Sequence, residues 1–452
     1  MRVQGLLALG QSALWAQQLA QLITSHNIAN VNTPGFTRQR PGFIPRTPVP
    51  GGAPFMMIGT GVDVTYVERM RDRYIDARVR KQQWEFSKWD ARDKALKDIE
   101  ALFDAETGIN ISTVLGEFFS AWQDLANDPE DTAVRQNLIE KSDRLCNAIR
   151  NAYNDLTQIQ RYLDVDVKAK VDEINSIIRQ IAQLNQDIAM MGGRANDLMD
   201  KRDALVDKLA QYVDAQADMD DMGVYTVRIG GLIVVQGRDY CEIGLTREPT
   251  GYKLVYEPNG QIMDIKGGEI KGIYEVRDEV IPDIIDQLNE LASTLINEVN
   301  TRHRNGYALD GVTTGLDFFS GSDASDIEVN SQIKNDPSLI AASSDGAPGN
   351  NENALDIADL QYQPIMSNNT ESMQKYYNSI HEQIGLLVEE STSARLNNEN
   401  FLEILKQHQQ EVSGVSIDEE IINLQKYETA YAAAAKIITT ADNMMETLLS
   451  LV

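Results

Sequence analysis

The feature that most constrains the fold is a stretch from Asp131 to Met191 that contains neither glycine nor proline. Apolar residues recur along its second half at the spacing of one helix face: Ile174, Ile177, Ile181, Leu184, Ile188 and Met191. A continuous helix of ~60 residues would be ~90 Å long at 1.5 Å per residue. Because a compact globule rarely accommodates such a rod, the sequence predicts an elongated helical bundle or a coiled coil.

Strand-like sequence interrupts this helical pattern once. Two pairs of alternating segments, at 224–235 and 252–265, are each divided by a glycine-containing turn, and each predicts a β-hairpin. Helical spacing flanks them over 61–211 and 269–411, with short strands at the edges. We therefore predict a mainly α fold with a β-rich insert at 212–268.

Both ends of the chain carry an apolar stripe at helical spacing, and an isolated helix of this kind needs a partner for its stripe. The N-terminal stripe consists of Leu6, Leu9, Ala13, Ala16, Ala20 and Ile23. The C-terminal stripe has the spacing of a coiled-coil seam and consists of Leu424, Tyr427, Tyr431, Ala434, Ile438, Ala441, Met445 and Leu448. We predict that these residues form the assembly surface and that the two ends pair.

If the ends pair, every domain between them is an insertion, and the molecule has an elongated, nested architecture. The predicted parts are a terminal coiled-coil assembly domain (1–33 and 412–452), a long-helix bundle (61–211 and 269–411) and a small distal β domain (212–268). In this arrangement the β domain lies farthest from the paired ends, so we expect it to be dispensable for assembly.

The first helix is predicted to end abruptly. Asn30 and Asn32 tolerate the left-handed conformation of a helix end, and Thr33-Pro34-Gly35-Phe36 has the pattern of a type II turn. Six of the thirteen prolines lie between Pro34 and Pro54. Because proline lacks an N–H donor, we predict an extended connector at 34–60 with only short β pieces.

Composition excludes several classes of partner. The 452-residue chain has a formal net charge of −27, which argues against nucleic acid and against anionic membrane surfaces. No apolar run approaches the ~18 residues of a membrane span. The apolar patch at residues 6–9 is too short for a signal-peptide core, so export of this protein would not use a cleaved signal.

No pattern of catalytic or metal-binding residues is present in the sequence. The four histidines, His26, His303, His381 and His408, lack metal-ligand spacing and are predicted to be polar residues on helix surfaces. Cys146 and Cys241 have neither zinc nor redox spacing, which indicates plain buried or half-buried thiols. Nucleophile-elbow, P-loop and dinucleotide-binding patterns do not occur. The sequence therefore predicts no enzyme, cofactor or metal site.

Two end segments resemble the bacterial flagellar axial proteins, the family of rod, hook and hook-associated subunits. Residues 25–39, SHNIANVNTPGFTRQ, are similar to the N-terminal signature of the family, and residues 430–442, AYAAAAKIITTAD, to its closing helix. The residues that match the N-terminal motif are Asn27, Ile28, Ala29, Asn30, Asn32, Thr33, Pro34, Gly35 and Phe36. Interior segments resemble the hook-associated members at the hook–filament junction: 196–203, 267–272, 299–306 and 413–420.

The resemblance implies a structural subunit that forms a homo-oligomeric ring at the distal end of the hook. It implies hook protein below the ring, a second junction protein above it, and a cytoplasmic export chaperone on the C-terminal helix. It further implies an extracellular location in the flagellum, reached through the flagellar type III exporter without a cleaved signal peptide.

Two alternatives remain open on the sequence. The chain could be another axial protein, such as a hook or distal rod subunit. The residues give less support to the second alternative, which is a secreted enzyme or adhesin that uses the ends of an axial protein as a carrier. A catalytic pocket within 212–268 would favour the latter, and the sequence shows no residues for one.

Overall fold

The computed structural model describes residues 3–50, 56–103, 110–220 and 223–450. Predictions that involve Met1, Arg2, Pro54 or 451–452 lie outside these residues. The helices are α1 Val3–Ala29, α2 Arg73–Phe103, α3 Ile111–Asn127, α4 Thr132–Met190, α5 Asn196–Tyr212, α6 Glu269–Glu275, α7 Ile281–Asn305, α8 Ser331–Asn335, α9 Glu352–Asp359, α10 Met373–Ser413 and α11 Ile417–Leu449.

The strands are short and pair only in antiparallel fashion among the described residues. They are β1 Gln39–Pro45, β2 Val49–Pro50, β3 Met57–Ile58, β4 Val62–Arg69, β5 Gln216–Met219, β6 Tyr225–Ile229, β7 Leu232–Gln236, β8 Asp239–Tyr240, β9 Ile243–Glu248, β10 Gly251–Tyr256, β11 Gln261–Ile262, β12 Phe319–Ser320 and β13 Glu328–Val329. The fold is mainly α with a β-rich insert, which confirms the predicted class.

Helix α4 is a single helix of 59 residues over the predicted stretch. Asp131 caps its N-terminus, where the side chain accepts a hydrogen bond from the Ala133 N–H at 2.7 Å. Gly192 and Gly193 follow its C-terminus with φ of +66° and +73°, a conformation that disfavours other residues and ends the helix. At 1.5 Å per residue α4 is ~88 Å long, which makes the helical body elongated.

Helices α2 to α10, with the strands between them, form one body with a large hydrophobic core and a smaller cluster of Ile75, Val79, Leu402 and Leu405 between α2 and α10. Helices α2 and α10 run antiparallel along it, since Gln409 Nε2 donates to Asp76 Oδ1 at 2.6 Å and Gln82 Nε2 donates to Asn398 Oδ1 at 2.7 Å. An aromatic cluster fills the core beside α3 and β12, and it consists of Phe118, Phe119, Trp122, Phe318 and Phe319.

The β-rich insert forms two antiparallel sheets, with strand orders β5-β6-β7-β8 and β11-β10-β9. Asn175 Nδ2 donates to Ile243 O at 2.9 Å, and Asn185 Nδ2 donates to Tyr225 O at 2.9 Å. These asparagines lie in the half of α4 nearer to the chain termini, so the insert occupies the side of α4 and not the distal position that we expected. The apolar stripe of α4 explains the difference, because it needs cover and the strands provide it.

The far end of the body is built from other segments. There the N-terminal turns of α4 pack against the loop that precedes α9, and Arg135 Nη1 donates to Ile340 O at 2.7 Å. Because the insert shares the core with α4, the expectation that it is dispensable no longer has a structural basis.

His303 corrects the prediction that the histidines lie on helix surfaces, because it is 1% exposed. Its Nε2 accepts the Ala341 N–H at 3.0 Å, so Nδ1 must carry the proton that it shares with Leu316 O at 2.8 Å. Burial lowers the pKa of His303 to about 4. The neutral imidazole thus ties the loops after α7 to the core.

Candidate assembly interface

Helices α1 and α11 form an antiparallel pair, which we call the terminal pair. Near its free end Gly10 lies against α11, and a Cβ placed on Gly10 would be 2.8 Å from Ile438 Cγ1. Near the body, Asn27 Nδ2 donates to Glu420 Oε2 at 3.1 Å. Small residues at the contact allow this close approach of two helices.

The terminal pair brings the two predicted stripes together within one chain. Five of their members are buried: Ala16, Ala20, Ile23, Ala434 and Ala441. Eight are partly buried: Leu6, Leu9, Ala13, Leu424, Tyr427, Tyr431, Ile438 and Met445. Leu448 is 53% exposed. Most of the stripe therefore holds α1 on α11 within the chain.

A second set of large apolar side chains lies on other sides of the terminal pair. These side chains are exposed, with Trp15 at 75% and Leu22 at 63% on α1, and Ile422, Met444, Leu448 and Leu449 on α11. Helix α1 contains no Asp, Glu, Lys or Arg, so its exposed side is uncharged. Exposed apolar surface of this kind marks an interaction site.

The family-motif residues form the turn that leaves α1. The Asn30 N–H donates to His26 O at 3.1 Å, and the Phe36 N–H donates to Thr33 O at 3.2 Å. Gly35 has a φ of +77°, which the third position of a type II turn requires. The predicted turn is therefore present.

The remaining motif residues differ in exposure. Asn27 is buried, Ile28, Asn30 and Phe36 are half-buried, and four lie at the surface with Gly35: Ala29, Asn32, Thr33 and Pro34. The Phe36 ring packs edge-on against His26, with centroids 5.4 Å apart.

The connector that follows is more regular than predicted. Strand β1 pairs with β4 over seven residues, although it contains Pro41 and Pro45. A two-stranded sheet leaves the outer edge of β1 unpaired, and proline is tolerated at such an edge because no N–H is needed there.

The first turn of α5 receives this connector. The Thr37 N–H donates to Asp200 Oδ2 at 3.0 Å, and Gln39 Nε2 donates to Asp197 Oδ1 at 2.8 Å. Asn196 Nδ2 also donates to Val67 O at 3.1 Å. Two segments that resemble the axial family, 25–39 and 196–203, are thus bound to each other.

Asp203 is the centre of a buried ionic cluster beside this contact. Its Oδ2 accepts from Arg69 Nη1 at 2.7 Å and from Arg71 Nη1 at 2.5 Å, and Arg80 Nη2 lies 3.8 Å from Oδ1. Burial would raise the pKa of Asp203, but the charges of the three arginines outweigh it and lower the pKa. This cluster was not predicted from the sequence. Its only signal was the recurrence of aspartates at intervals of three and four residues in α5.

The described residues offer no other chemistry of a recognisable kind. Among them, no group of three or more His, Cys, Asp or Glu side chains is placed to hold a metal ion. Both cysteines are free, and burial raises the pKa of Cys146 to about 12. In the same part of the chain, no helix has the length and apolar character needed to cross a membrane.

Comparison with known proteins agrees with the architecture of ends and body. Residues 96–319 match the family model described as the flagellar hook-associated protein FlgK helical domain. Residues 7–37 match that of the flagella basal body rod protein, and residues 406–451 that of the flagellar basal body rod FlgEFG protein C-terminal region. Flagellar hook-associated protein 1 of Bacillus subtilis (strain 168) is 28% identical over 496 residues, covering 97% of this chain and 96% of the relative. The chain belongs to the flagellar hook-associated protein 1 family.

More distant members of this family have the same extent. Flagellar hook-associated protein 1 of Escherichia coli (strain K12) is 25% identical over 541 residues, and that of Salmonella typhimurium (strain LT2) is 25% identical over 548 residues. In both cases 97% of this chain and 98% of the relative are covered.

A solved structure shares the fold. The flagellar hook junction protein FlgK from Burkholderia pseudomallei superimposes with a TM-score of 0.67 at 15% identity, covering 75% of this chain and all of the other. Membership of the hook-associated protein 1 family makes this chain a structural component of the flagellum and not an enzyme.

Proposed function

We propose that this chain is the structural subunit of the ring that joins the hook to the filament, and that it assembles through its terminal pair. The observation that carries this proposal is the uncharged, exposed face of α1, with Trp15 and Leu22 at its centre. A helix that covers one side with α11 and leaves apolar residues on the other is suited to packing against identical neighbours.

In this proposal the body and the terminal pair have separate roles. The body has its own large hydrophobic core, whereas the covalent links from the terminal pair to it are the connector and the turn between α10 and α11. The body can therefore remain folded while the terminal pair loses contact with water and packs against neighbouring subunits. The match of 96–319 to the hook-associated helical domain favours the junction over a hook or distal rod position.

The partners follow from this position. Hook protein would contact the ring from below and a second junction protein from above. The exposed apolar residues of α11, among them Ile422 and Leu449, would be covered by an export chaperone before assembly. The protein would reach the cell exterior through the flagellar exporter without a cleaved signal peptide.

The proposal is tested by complementation of a strain that lacks the gene. The wild-type chain should restore filaments on hooks in electron micrographs. Trp15→Ala should leave most hooks bare, because it removes a large side chain from the exposed face without touching the contact between α1 and α11. Gln11→Ala on the same exposed side is the matched control and should support normal filaments. Normal filaments with Trp15→Ala and Leu22→Ala combined would contradict assembly through this face.

A further inference from the structure

Two segments connect the terminal pair to the body: the connector that starts with the turn at 30–37 and leads to α2, and residues 414–416 between α10 and α11. Covalent links of this kind leave the angle between the two parts free, so non-covalent contacts must set it. We propose that Glu420 is the positioning residue that fixes the terminal pair at one angle to the body. The proposal rests on the function proposed above, because subunits that assemble through the pair need it at a defined angle.

The Glu420 carboxylate bonds to two other segments at once. It lies in the first turn of α11 and is 2% exposed. Its Oε1 accepts from Arg38 Nε at 2.7 Å, and its Oε2 accepts from Asn27 Nδ2 at 3.1 Å. One buried group therefore holds the end of α1, the residue before β1 and the start of α11.

Asn27 extends this contact into the connector. Its Nδ2 donates to Gln39 O at 2.9 Å, and its Oδ1 accepts the Gln39 N–H at 3.0 Å. The side-chain amide thus makes the paired hydrogen bonds that a neighbouring strand residue would make. The first residue of β1 is fixed to α1 in this way, and Glu420 adds α11 to the same unit.

Arg38 carries the contact to the body. Its N–H donates to Ser413 O at the end of α10 at 2.9 Å, and its carbonyl accepts the Met70 N–H at 2.8 Å. Because the Arg38 backbone is bonded to the end of α10 and to the residue that follows β4, its ion pair with Glu420 fixes α11 relative to the body.

Glu419 contacts the same guanidinium group of Arg38 and therefore provides a matched comparison for Glu420. Arg38 Nη1 donates to Glu419 Oε2 at 2.7 Å, the same distance as to Glu420, but the Glu419 side chain is 61% exposed. Exposed ion pairs contribute little, whereas loss of one partner in a buried pair leaves a charge without compensation. Of these two carboxylates, only that of Glu420 should therefore affect the angle.

The angle can be measured as a distance between spin labels on Gln180→Cys in α4 and Thr439→Cys in α11, both exposed positions. Cys241→Ser removes the half-buried thiol, while Cys146 is buried and stays unlabelled. The otherwise wild-type chain should give one narrow distance distribution. Glu420→Gln should lose that single distance and give a broad distribution, whereas Glu419→Gln should keep it.

A double-mutant cycle separates positioning from general stabilisation. Arg38→Gln leaves the Glu420 charge unpaired and should broaden the distribution more than Glu420→Gln does. Combining both substitutions removes the uncompensated charge and should recover part of the narrow distribution. A residue with only a structural role would lower the melting temperature without this rescue of the distance.

The outcomes are distinguishable. Equal, narrow distributions for Glu420→Gln and Glu419→Gln would overturn the positioning role. If Glu420→Gln lost its helical circular-dichroism signal, Glu420→Asp would replace it, and an unchanged distance in that variant would also overturn the role. Bare hooks in a strain that carries the wild-type chain would refute the proposed function and leave the distance result intact.

Discussion

The terminal pair and the body are both helical, but they bury different side chains. The pair buries mainly alanines, such as Ala20 and Ala441, while the body buries Trp122 and Phe118 completely. Burial of apolar area stabilises by roughly 25 cal/mol per Å², so large side chains contribute most of the stability. The buried side chains of the body therefore contribute more stability per residue than those of the pair.

Charge divides the two regions in the same way. Helix α1 contains no Asp, Glu, Lys or Arg, whereas the body buries arginines such as Arg135, Arg202 and Arg277. Arg135 is 1% exposed and is bonded only to backbone carbonyls among the described residues. The contrast concerns α1 alone, because α11 carries exposed charged residues and buries Glu420.

The largest expected effect on the body comes from Arg135→Met. Arg135 Nε and Nη2 donate to Pro129 O at 2.9 and 2.6 Å, and Nη1 donates to Ile340 O. The substitution leaves these carbonyls unpartnered at the far end of the body, so the free energy of unfolding should fall by roughly 1–3 kcal/mol for each buried carbonyl. Urea titration of the isolated protein measures this.

Arg161→Met, at an exposed position of α4, is the control and should change the free energy of unfolding by less than about 0.5 kcal/mol. Hydrogen exchange at α11 should not differ between the two variants. Similar losses from both substitutions would show that the carbonyl cluster around Arg135 does not stabilise the body.

A smaller effect concerns pH and His303. Because burial lowers its pKa to about 4, the unfolded chain binds a proton that the folded chain does not between pH 6.5 and 4. Its stabilising contribution is full above pH 6.5 and is lost as the pH falls, by roughly 3 kcal/mol at most. His303→Gln should remove this dependence while keeping a donor and an acceptor.

Because Asp214 titrates in the same pH range, wild type and His303→Gln have to be compared at each pH. Burial raises the pKa of Asp214 to about 6, so this group adds stability as the pH falls below 6, opposite in sign to His303. Urea midpoints measured from pH 7 to pH 4 should therefore converge for His303→Gln and wild type as the pH falls. Parallel curves would contradict the buried neutral imidazole.

Local spacing in the sequence was sufficient to predict the periodic elements. The continuous α4, the hairpin of β6 and β7, and α11 all follow from side-chain intervals that depend on neighbours in the chain. The fold class and the family follow from these elements and from the end motifs.

Contacts between distant segments were not predictable in this way. The burial of His303 depends on Leu316 and Ala341, which lie in loops without periodicity. The first turn of α5 reads as an ordinary solvated helix, and Asp203 becomes a buried centre only because β4 brings Arg69 to it. The sequence of the insert likewise predicts a separate domain. Its packing against α4 becomes predictable only when the apolar stripe of α4 is recognised as a surface that must be buried.

Substitution of Gly10 should affect the terminal pair and spare the body. A Cβ at Gly10 would meet Ile438 Cγ1 at 2.8 Å, so Gly10→Val should weaken the pairing by about 1–3 kcal/mol. Hydrogen exchange should quicken along α11 while the urea midpoint of the body stays unchanged. Gly5→Val adds the same side chain where no atom lies within 4 Å, and it should leave exchange at α11 as in wild type.

The smallest effect on stability, with the largest effect on function, is expected for Leu448→Asp. Leu448 is 53% exposed in the single chain, so its loss should leave the thermal midpoint unchanged. In the assembled ring its burial would contribute ~1.5–3 kcal/mol per subunit, and a carboxylate there would add a desolvation cost. Swimming in soft agar should therefore be abolished, whereas Leu448→Met, which keeps an apolar side chain, should swim normally. Normal swimming by Leu448→Asp, or a clear drop in its thermal midpoint, would show that this end of α11 serves the single chain and not the assembly.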